Sequence, residues 1–363
     1  MKVDGIHHRA IWVTGSGVVR VIDQTRLPFE FVTVDLPTAE AAADALRRMV
    51  VRGAPLIGAT AAYGVALAMR RDATDANLDA ATTLLQGTRP TAVDLRWALQ
   101  RMYAVLTRVP VAARAEAAFR EASAISNAYV EQCRSIGAHG LDLIRGLLAA
   151  PRRPVNVLTH CNAGWLACVD WGTALSPIYM AHDAGLAIHV WVDETRPRNQ
   201  GAALTAFELG AHGVPHTVIA DNLGGLLMQR GDVDMVLVGS DRVSAAGDVC
   251  NKVGTYLKAL AAHDNGVPFY AALPLSTIDW SVTAGRDIPI EERSGAELTH
   301  VTGRTGAGAT ATVRVIPEGS RVLNLGFDVT PARLVTGIIT EQGVVSATAD
   351  GLQRLRRDHR NVE

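Results

Sequence analysis

The chain has 363 residues, a formal net charge of −1, and 48% apolar against 20% charged residues, the balance of a globular protein with room for one large or two ordinary domains. A near-neutral charge supplies no basic field for a nucleic-acid backbone, and no stretch is long and apolar enough to cross a bilayer. The four cysteines, Cys133, Cys161, Cys168 and Cys250, form no C-x-x-C pair, so neither a zinc site nor a disulfide framework is indicated. The N-terminal residues 1–8 carry no apolar core before a small-residue cleavage site. A soluble cytoplasmic protein with reduced thiols is expected.

In chain order, short β-like runs at residues 18–22 and 29–34 open the sequence. Alanine-rich helical segments follow at 37–68 and 91–106, and a long helical stretch covers 111–149. Pro151-Arg152-Arg153-Pro154 breaks that stretch and marks the expected boundary between an N-terminal domain (1–150, β then mostly helical) and a second domain (151–363). Beyond it, apolar runs recur at 155–158, 187–192, 217–220, 235–238 and 269–273, separated mostly by helical segments. Strands this apolar, alternating with helices, predict an α/β fold with a parallel sheet covered on both faces. In such sheets ligands sit beyond the carboxyl ends of the strands, so the polar residues after each run carry the interest.

The first such cluster is Thr159-His160-Cys161-Asn162-Ala163-Gly164. A cysteine at a strand end, entering a glycine-containing turn before a helix, meets backbone N–H groups that favour a thiolate. An unpaired cysteine is otherwise most often a small buried thiol. Cys168, on the same face of the expected helix, and Cys133 read as packing residues. After the run at 236–238 comes Gly239-Ser240-Asp241-Arg242. Asp241 there is a general acid or base, or else an ion pair with Arg242 or a helix cap.

Gly247-Asp248-Val249-Cys250-Asn251-Lys252 offers an amide and an ammonium before a helical run, suited to hydroxyls and phosphate oxygens. A solvated lysine is the ordinary alternative. The run at 190–192 leads into Asp193-Glu194-Thr195-Arg196-Pro197-Arg198-Asn199-Gln200-Gly201, more polar groups than solvation needs. In the first third, Val51-Arg52-Gly53-Ala54-Pro55 sets an arginine and free amides at a helix start, a cradle for phosphate. Thr88-Arg89-Pro90-Thr91 sets a second arginine before another helix; alone, either reads as a surface residue. No GxGxxG follows the first strand, there is no GxxxxGK[ST], HExxH or GxSxG, and His7-His8 lies too near the terminus to argue a metal site. The residues alone describe an enzyme of phosphorylated small molecules that uses Cys161 and Asp241.

Together with Asp23-Gln24-Thr25-Arg26-Leu27-Pro28 and Phe327-Asp328-Val329-Thr330-Pro331, these motifs in this order resemble the methylthioribose-1-phosphate isomerase family over nearly the whole chain. The resemblance implies a catalytic pair of Cys161 and Asp241, with Asp241 as proton donor. It also implies substrate contacts from Arg52, Gly53, Ala54, Arg89, Gln200, Asn251 and Lys252. The implied fold is a small N-terminal α/β domain joined to a Rossmann-like parallel-sheet domain, usually as a homodimer. The implied reaction converts 5-methylthioribose 1-phosphate to 5-methylthioribulose 1-phosphate in methionine salvage, with no metal, no redox cofactor, and no nucleic-acid or membrane partner. Ser240 stands where the family more often has threonine or alanine. Asp94 replaces an expected asparagine and is expected beside Arg89, where it weakens that arginine's hold on substrate. The same fold serves non-catalytic regulatory subunits of the translation-initiation nucleotide-exchange factor, but Cys161, Asp241, Gln200, Asn251 and Lys252 argue for an enzyme. Related isomerases take ribose 1,5-bisphosphate or 5-deoxyribose 1-phosphate. The pocket around the 5-substituent, basic for a second phosphate and apolar for a methylthio group, discriminates among them.

Overall fold

The computed structural model describes residues 1–148 and 153–360, the last four of these by backbone alone. Pro151 and Arg152 of the expected domain boundary lie outside the described residues. A two-stranded antiparallel sheet, Lys2–Val3 with Ile6–His7, opens the fold, and a three-stranded antiparallel sheet, Ile11–Val13, Val19–Ile22 and Thr33–Leu36, follows. The run expected at 29–34 pairs only from Thr33, because residues 23–26 turn: Asp23 Oδ1 accepts from the Thr25 N–H at 3.0 Å.

Five helices follow: α1 (Ala39–Arg47), α2 (Ala54–Arg71), α3 (Asp75–Gln86), α4 (Val93–Leu106) and α5 (Val111–Leu147). The helical segment expected at 37–68 is thus two helices, and the break between them carries Arg52. Thr38 starts α1 by accepting from the Ala41 N–H at 3.1 Å. α2 is buried on all sides from Pro55 to Met69, and its small residues let α4 and α5 pack close against it. α5 in turn meets α6 (Leu175–Asp183) at Gly140, where a Cβ would come within 2.3 Å of Pro177 Cγ.

The remainder builds a seven-stranded sheet ordered Gly343–Val345, Gly337–Thr340, Phe269–Ala272, Met235–Val238, Val155–Thr159, Ile188–Asp193, His216–Ile219. Every pairing is parallel except that of Gly343–Val345 at one edge. The chain enters at Val155–Thr159, adds two strands to one side, then returns to Met235–Val238 and builds the other side. Helices α7 (Ala206–His212), α8 (Leu223–Gln229) and α9 (Thr255–Asp264) lie in the crossovers. Met235–Val238 is buried throughout, as a strand covered on both faces must be. The winding reverses between Val155–Thr159 and Met235–Val238, and the crevice beyond their carboxyl ends is where such sheets hold ligands.

A four-stranded sheet, Ile278–Asp279, Arg242–Ser244, Val249–Lys252 and Phe327–Thr330, stands beside this crevice. Asn251 and Lys252 therefore sit on a strand, and α9 begins only at Thr255. Cys161 and Cys168 do not share a helix face: Trp165–Ala167 is a single 3₁₀ turn and α6 starts at Leu175.

Candidate active site

Cys161 lies two residues beyond the end of Val155–Thr159 with φ at +66°, a left-handed conformation that costs energy for any residue but glycine. Threonines that follow the neighbouring strand Ile188–Asp193 hold it there. The Cys161 N–H donates to Thr195 Oγ1 at 2.8 Å, Thr195 Oγ1 donates to the Asp193 carbonyl at 3.0 Å, and Thr205 Oγ1 donates to the Cys161 carbonyl at 2.8 Å. The following loop is fixed by Glu208. Its carboxylate accepts from the Trp165 and Leu166 N–H groups at 2.9 and 3.0 Å, from Asn162 Nδ2 at 2.9 Å, and from the Tyr179 hydroxyl at 2.8 Å. Burial pushes the Cys161 thiol above its usual range. The charges of Arg52 and Lys252 and the Asn162 N–H pull the other way. Desolvation thus works against the expected thiolate and outweighs the pull of the backbone amide.

Asp241 follows Met235–Val238 across the crevice, and its N–H donates to the Cys250 carbonyl at 2.9 Å. Ser240 Oγ lies 2.9 Å from the Arg242 carbonyl and 3.0 Å from that of Cys250, so the serine pins the turn that aims the carboxylate. Arg242 is not its ion-pair partner; it meets Asp279 at 3.4 Å and donates to the Thr91 carbonyl. Burial raises the Asp241 pKa, against the pull of Lys252, Arg52 and Arg89. A carboxyl in such a place keeps its proton to higher pH than a surface aspartate does.

Arg52 reaches across from the α1–α2 break and donates through Nη2 to the Asn162 carbonyl at 2.9 Å. Gly53 is required beside it. Its φ is +99°, and a Cβ would come within 2.4 Å of the Ala167 backbone. Ala54 and Pro55 then begin α2 and line the same cleft. Arg89 is half-buried, with Glu291 at 3.5 Å and its buried Nε without a partner among the described residues. The expected neighbour Asp94 points elsewhere: it accepts from Ser276 Oγ at 2.6 Å, Thr277 Oγ1 at 3.0 Å and the Tyr129 hydroxyl at 3.1 Å. Asp94 ties α4 to the loop after Phe269–Ala272 and leaves Arg89 free of it.

Lys252 is buried, donates to the Gly326 carbonyl at 2.7 Å, and lies over the Phe327 ring. Burial lowers its pKa, while Cys161 and Asp241 raise it. Asn251 donates through Nδ2 to Thr255 Oγ1 at 3.0 Å. Gln200, just before the turn at Gly201–Thr205, is buried with its Oε1 unpartnered.

One cleft is lined by Arg52, Gly53, Ala54, Cys161, Asp241 and Asn251. A recess continues from it past Arg89, and a larger cavity of about 670 Å³ shares Arg52 and adds Gln200. Asn162, Thr195, Thr205 and Glu208 are positioning residues that were not singled out from sequence. The signal for Glu208 was a lone carboxylate in the apolar run Ala206-Phe207-Glu208-Leu209.

Beneath the cleft, His160, Asp193 and Asp221 gather as a metal site would. Here a lysine supplies the positive charge: Lys258 Nζ lies 3.1 Å from the same Asp193 oxygen that meets His160 Nδ1 at 2.8 Å. His160 Nε2 donates to the Val253 carbonyl at 2.9 Å. Together these side chains anchor the turn at Cys161.

Residues 50–347 match the initiation factor 2 subunit family. The methylthioribose-1-phosphate isomerase of Methylorubrum extorquens is 65% identical over the full length of both chains. That of Rhodospirillum centenum is 63% identical over 99% of this chain and 96% of its own. Among solved structures, 5-methylthioribose 1-phosphate isomerase from Pyrococcus horikoshii superposes with a TM-score of 0.83 at 38% identity, covering 97% of this chain and 96% of that one. A structure described as translation initiation factor eIF-2B, subunit delta, from A. fulgidus superposes with a TM-score of 0.78 at 38% identity, over 94% and 96%.

Proposed function

We propose that this chain, which belongs to the methylthioribose-1-phosphate isomerase family within the initiation factor 2 subunit family, converts 5-methylthioribose 1-phosphate to 5-methylthioribulose 1-phosphate in methionine salvage. One observation carries the reading. Cys161 and Asp241 stand at the carboxyl ends of the two strands flanking the sheet's switch point, in one cleft with Arg52 and Asn251.

The 1-phosphate locks the anomeric carbon, so the ring opens before hydrogen moves. Asp241, whose burial favours the protonated form, gives its proton to the ring oxygen as the C1–O bond breaks. The hydrogen on C2 passes to C1, the C2 hydroxyl becomes a carbonyl, and its proton returns to Asp241. Atoms and electrons balance within the sugar and the carboxyl, and no redox partner enters. Cys161 supports the transition state beside C1 and C2. Arg52, the amides at Gly53 and Ala54, Arg89 and Lys252 hold the phosphate, while Gln200 and Asn251 hold hydroxyls.

The recess beyond Asp241 is walled by Ile57, Ala92, Val93, Ile288, Pro289 and Phe327. Of its two cations, Arg242 already faces Asp279, and Arg89 is the one assigned to the 1-phosphate. These walls suit a methylthio group better than a second phosphate. The intact set of Cys161, Asp241, Gln200, Asn251 and Lys252 favours an enzyme over a regulatory subunit. The reading extends to two domains, 1–150 and 151–363, in a cytoplasmic homodimer. Exposed Leu226 and Leu257 on the adjoining helices α8 and α9 support the dimer. Turnover of 5-methylthioribose 1-phosphate, ribose 1,5-bisphosphate and 5-deoxyribose 1-phosphate, assayed side by side, tests the assignment. The highest kcat/KM is expected on the first, and a preference for the bisphosphate would overturn it.

A further inference from the structure

The Asp23-Gln24-Thr25-Arg26-Leu27-Pro28 motif has no part in the chemistry above. It folds as a turn that sets Gln24 between the two halves of the cleft. The Gln24 N–H donates to the Val50 carbonyl at 3.0 Å, two residues before Arg52. Its side-chain Nε2 donates to the Leu166 carbonyl at 2.6 Å, in the loop that follows Cys161. That carbonyl can only accept, so the amide is oriented with nitrogen on Leu166 and oxygen turned away.

The oxygen has nothing to bind. Gln24 is only 5% exposed, and its Oε1 is a buried acceptor without a partner. Leaving such an atom unsatisfied is destabilising, and native proteins retain few of them. Gln24 lines the 670 Å³ cavity together with Arg52 and Gln200. Gln200 Oε1 is orphaned in the same way. Two amides that line one cavity, each with a buried oxygen that has no partner among the described residues, form an acceptor set, and its natural complement is a ligand that donates from hydroxyl groups.

Resting on the isomerase reading, we infer that Gln24 is a substrate-binding residue whose Oε1 accepts a hydrogen bond from the sugar's 3-hydroxyl. 5-Methylthioribose 1-phosphate carries two free hydroxyls. The 2-hydroxyl becomes the ketone, so only the 3-hydroxyl can be held unchanged from substrate to product. Gln24 bridges the Arg52 loop and the Cys161 loop through its other groups, so this contact also registers the sugar between phosphate cradle and catalytic pair.

The test pairs Gln24→Leu with a substrate lacking the 3-hydroxyl. On 5-methylthioribose 1-phosphate, Gln24→Leu is expected to lower kcat/KM about tenfold, the worth of a neutral hydrogen bond with its partner left buried. On the 3-deoxy analogue, wild type and variant are expected to be equal. Equal fold losses on both substrates would show a structural role and overturn the inference, as would no loss on either. Should Gln24→Leu fail to fold, Gln24→Asn keeps the amide but withdraws it by one methylene, and the same comparison decides. Wild-type protein inactive on 5-methylthioribose 1-phosphate would overturn the isomerase reading itself. Active wild type with an unselective variant overturns the role of Gln24 alone.

Discussion

The Cys161 N–H donates to Thr195 Oγ1 at 2.8 Å, and both residues have φ at +66°. Each such conformation costs on the order of 1–3 kcal/mol and persists only where its surroundings enforce it. Thr195→Val keeps the shape but leaves the buried N–H without an acceptor, and should destabilise the fold by about 1–3 kcal/mol. kcat should fall with it as the thiol loses its position. Thr195→Ser retains the acceptor and removes the β-branch, and should match wild type in both. A Thr195→Val enzyme with wild-type melting temperature and kcat would show that the threonine does not hold the turn.

Asp241→Asn preserves shape and cannot transfer a proton. Its kcat should drop by roughly two to four orders of magnitude, with substrate binding by calorimetry largely kept. Because burial raises the Asp241 pKa, the wild-type enzyme holds its acid form to unusually high pH, and kcat should fall as pH rises through that value. Stability follows the same sign. A carboxyl with a raised folded pKa contributes most when protonated and loses that contribution as pH rises through it. The asparagine variant should therefore gain melting temperature relative to wild type between acidic and neutral pH. A difference that stays constant across that range would show that Asp241 is not desolvated.

Arg52, assigned above to the phosphate, ties its loop to Asn162. Arg52→Ala should cost about 1.5–3 kcal/mol in kcat/KM. Arg52→Lys restores the charge without the planar fork and should recover only part of it. Steady-state kinetics on the three proteins check this, and wild-type values in Arg52→Ala would remove the residue from the phosphate site.

Gly164 has an ordinary φ, so its requirement is space alone. A Cβ would fall 1.8 Å from Glu208 Oε2. Gly164→Ala should displace that carboxylate from the Trp165 and Leu166 amides and destabilise the protein by about 3 kcal/mol. Gly303→Ala, where a Cβ meets nothing within 4 Å, should be near neutral in the same denaturant titration. Equal stabilities for the two variants would contradict the packing described here.

Local pattern made much of this protein legible. Apolar runs such as 235–238 read as covered strands, and the polar residues after them point to Cys161 and Asp241 as candidates, while Gln200 enters only with the family resemblance. Motif order alone carries the family. Pairing and burial belong to the tertiary structure, because each joins residues far apart in the chain. Arg242 chose Asp279 over its neighbour Asp241, and Asp94 chose Tyr129, Ser276 and Thr277 over Arg89. A strand end suggested a thiolate at Cys161, but the depth of the surrounding fold pushes its pKa up. Gln24 is the clearest case. Its motif was visible in sequence, yet only the fold brings Val50 and Leu166 to the same side chain, occupies its nitrogen and leaves its oxygen free.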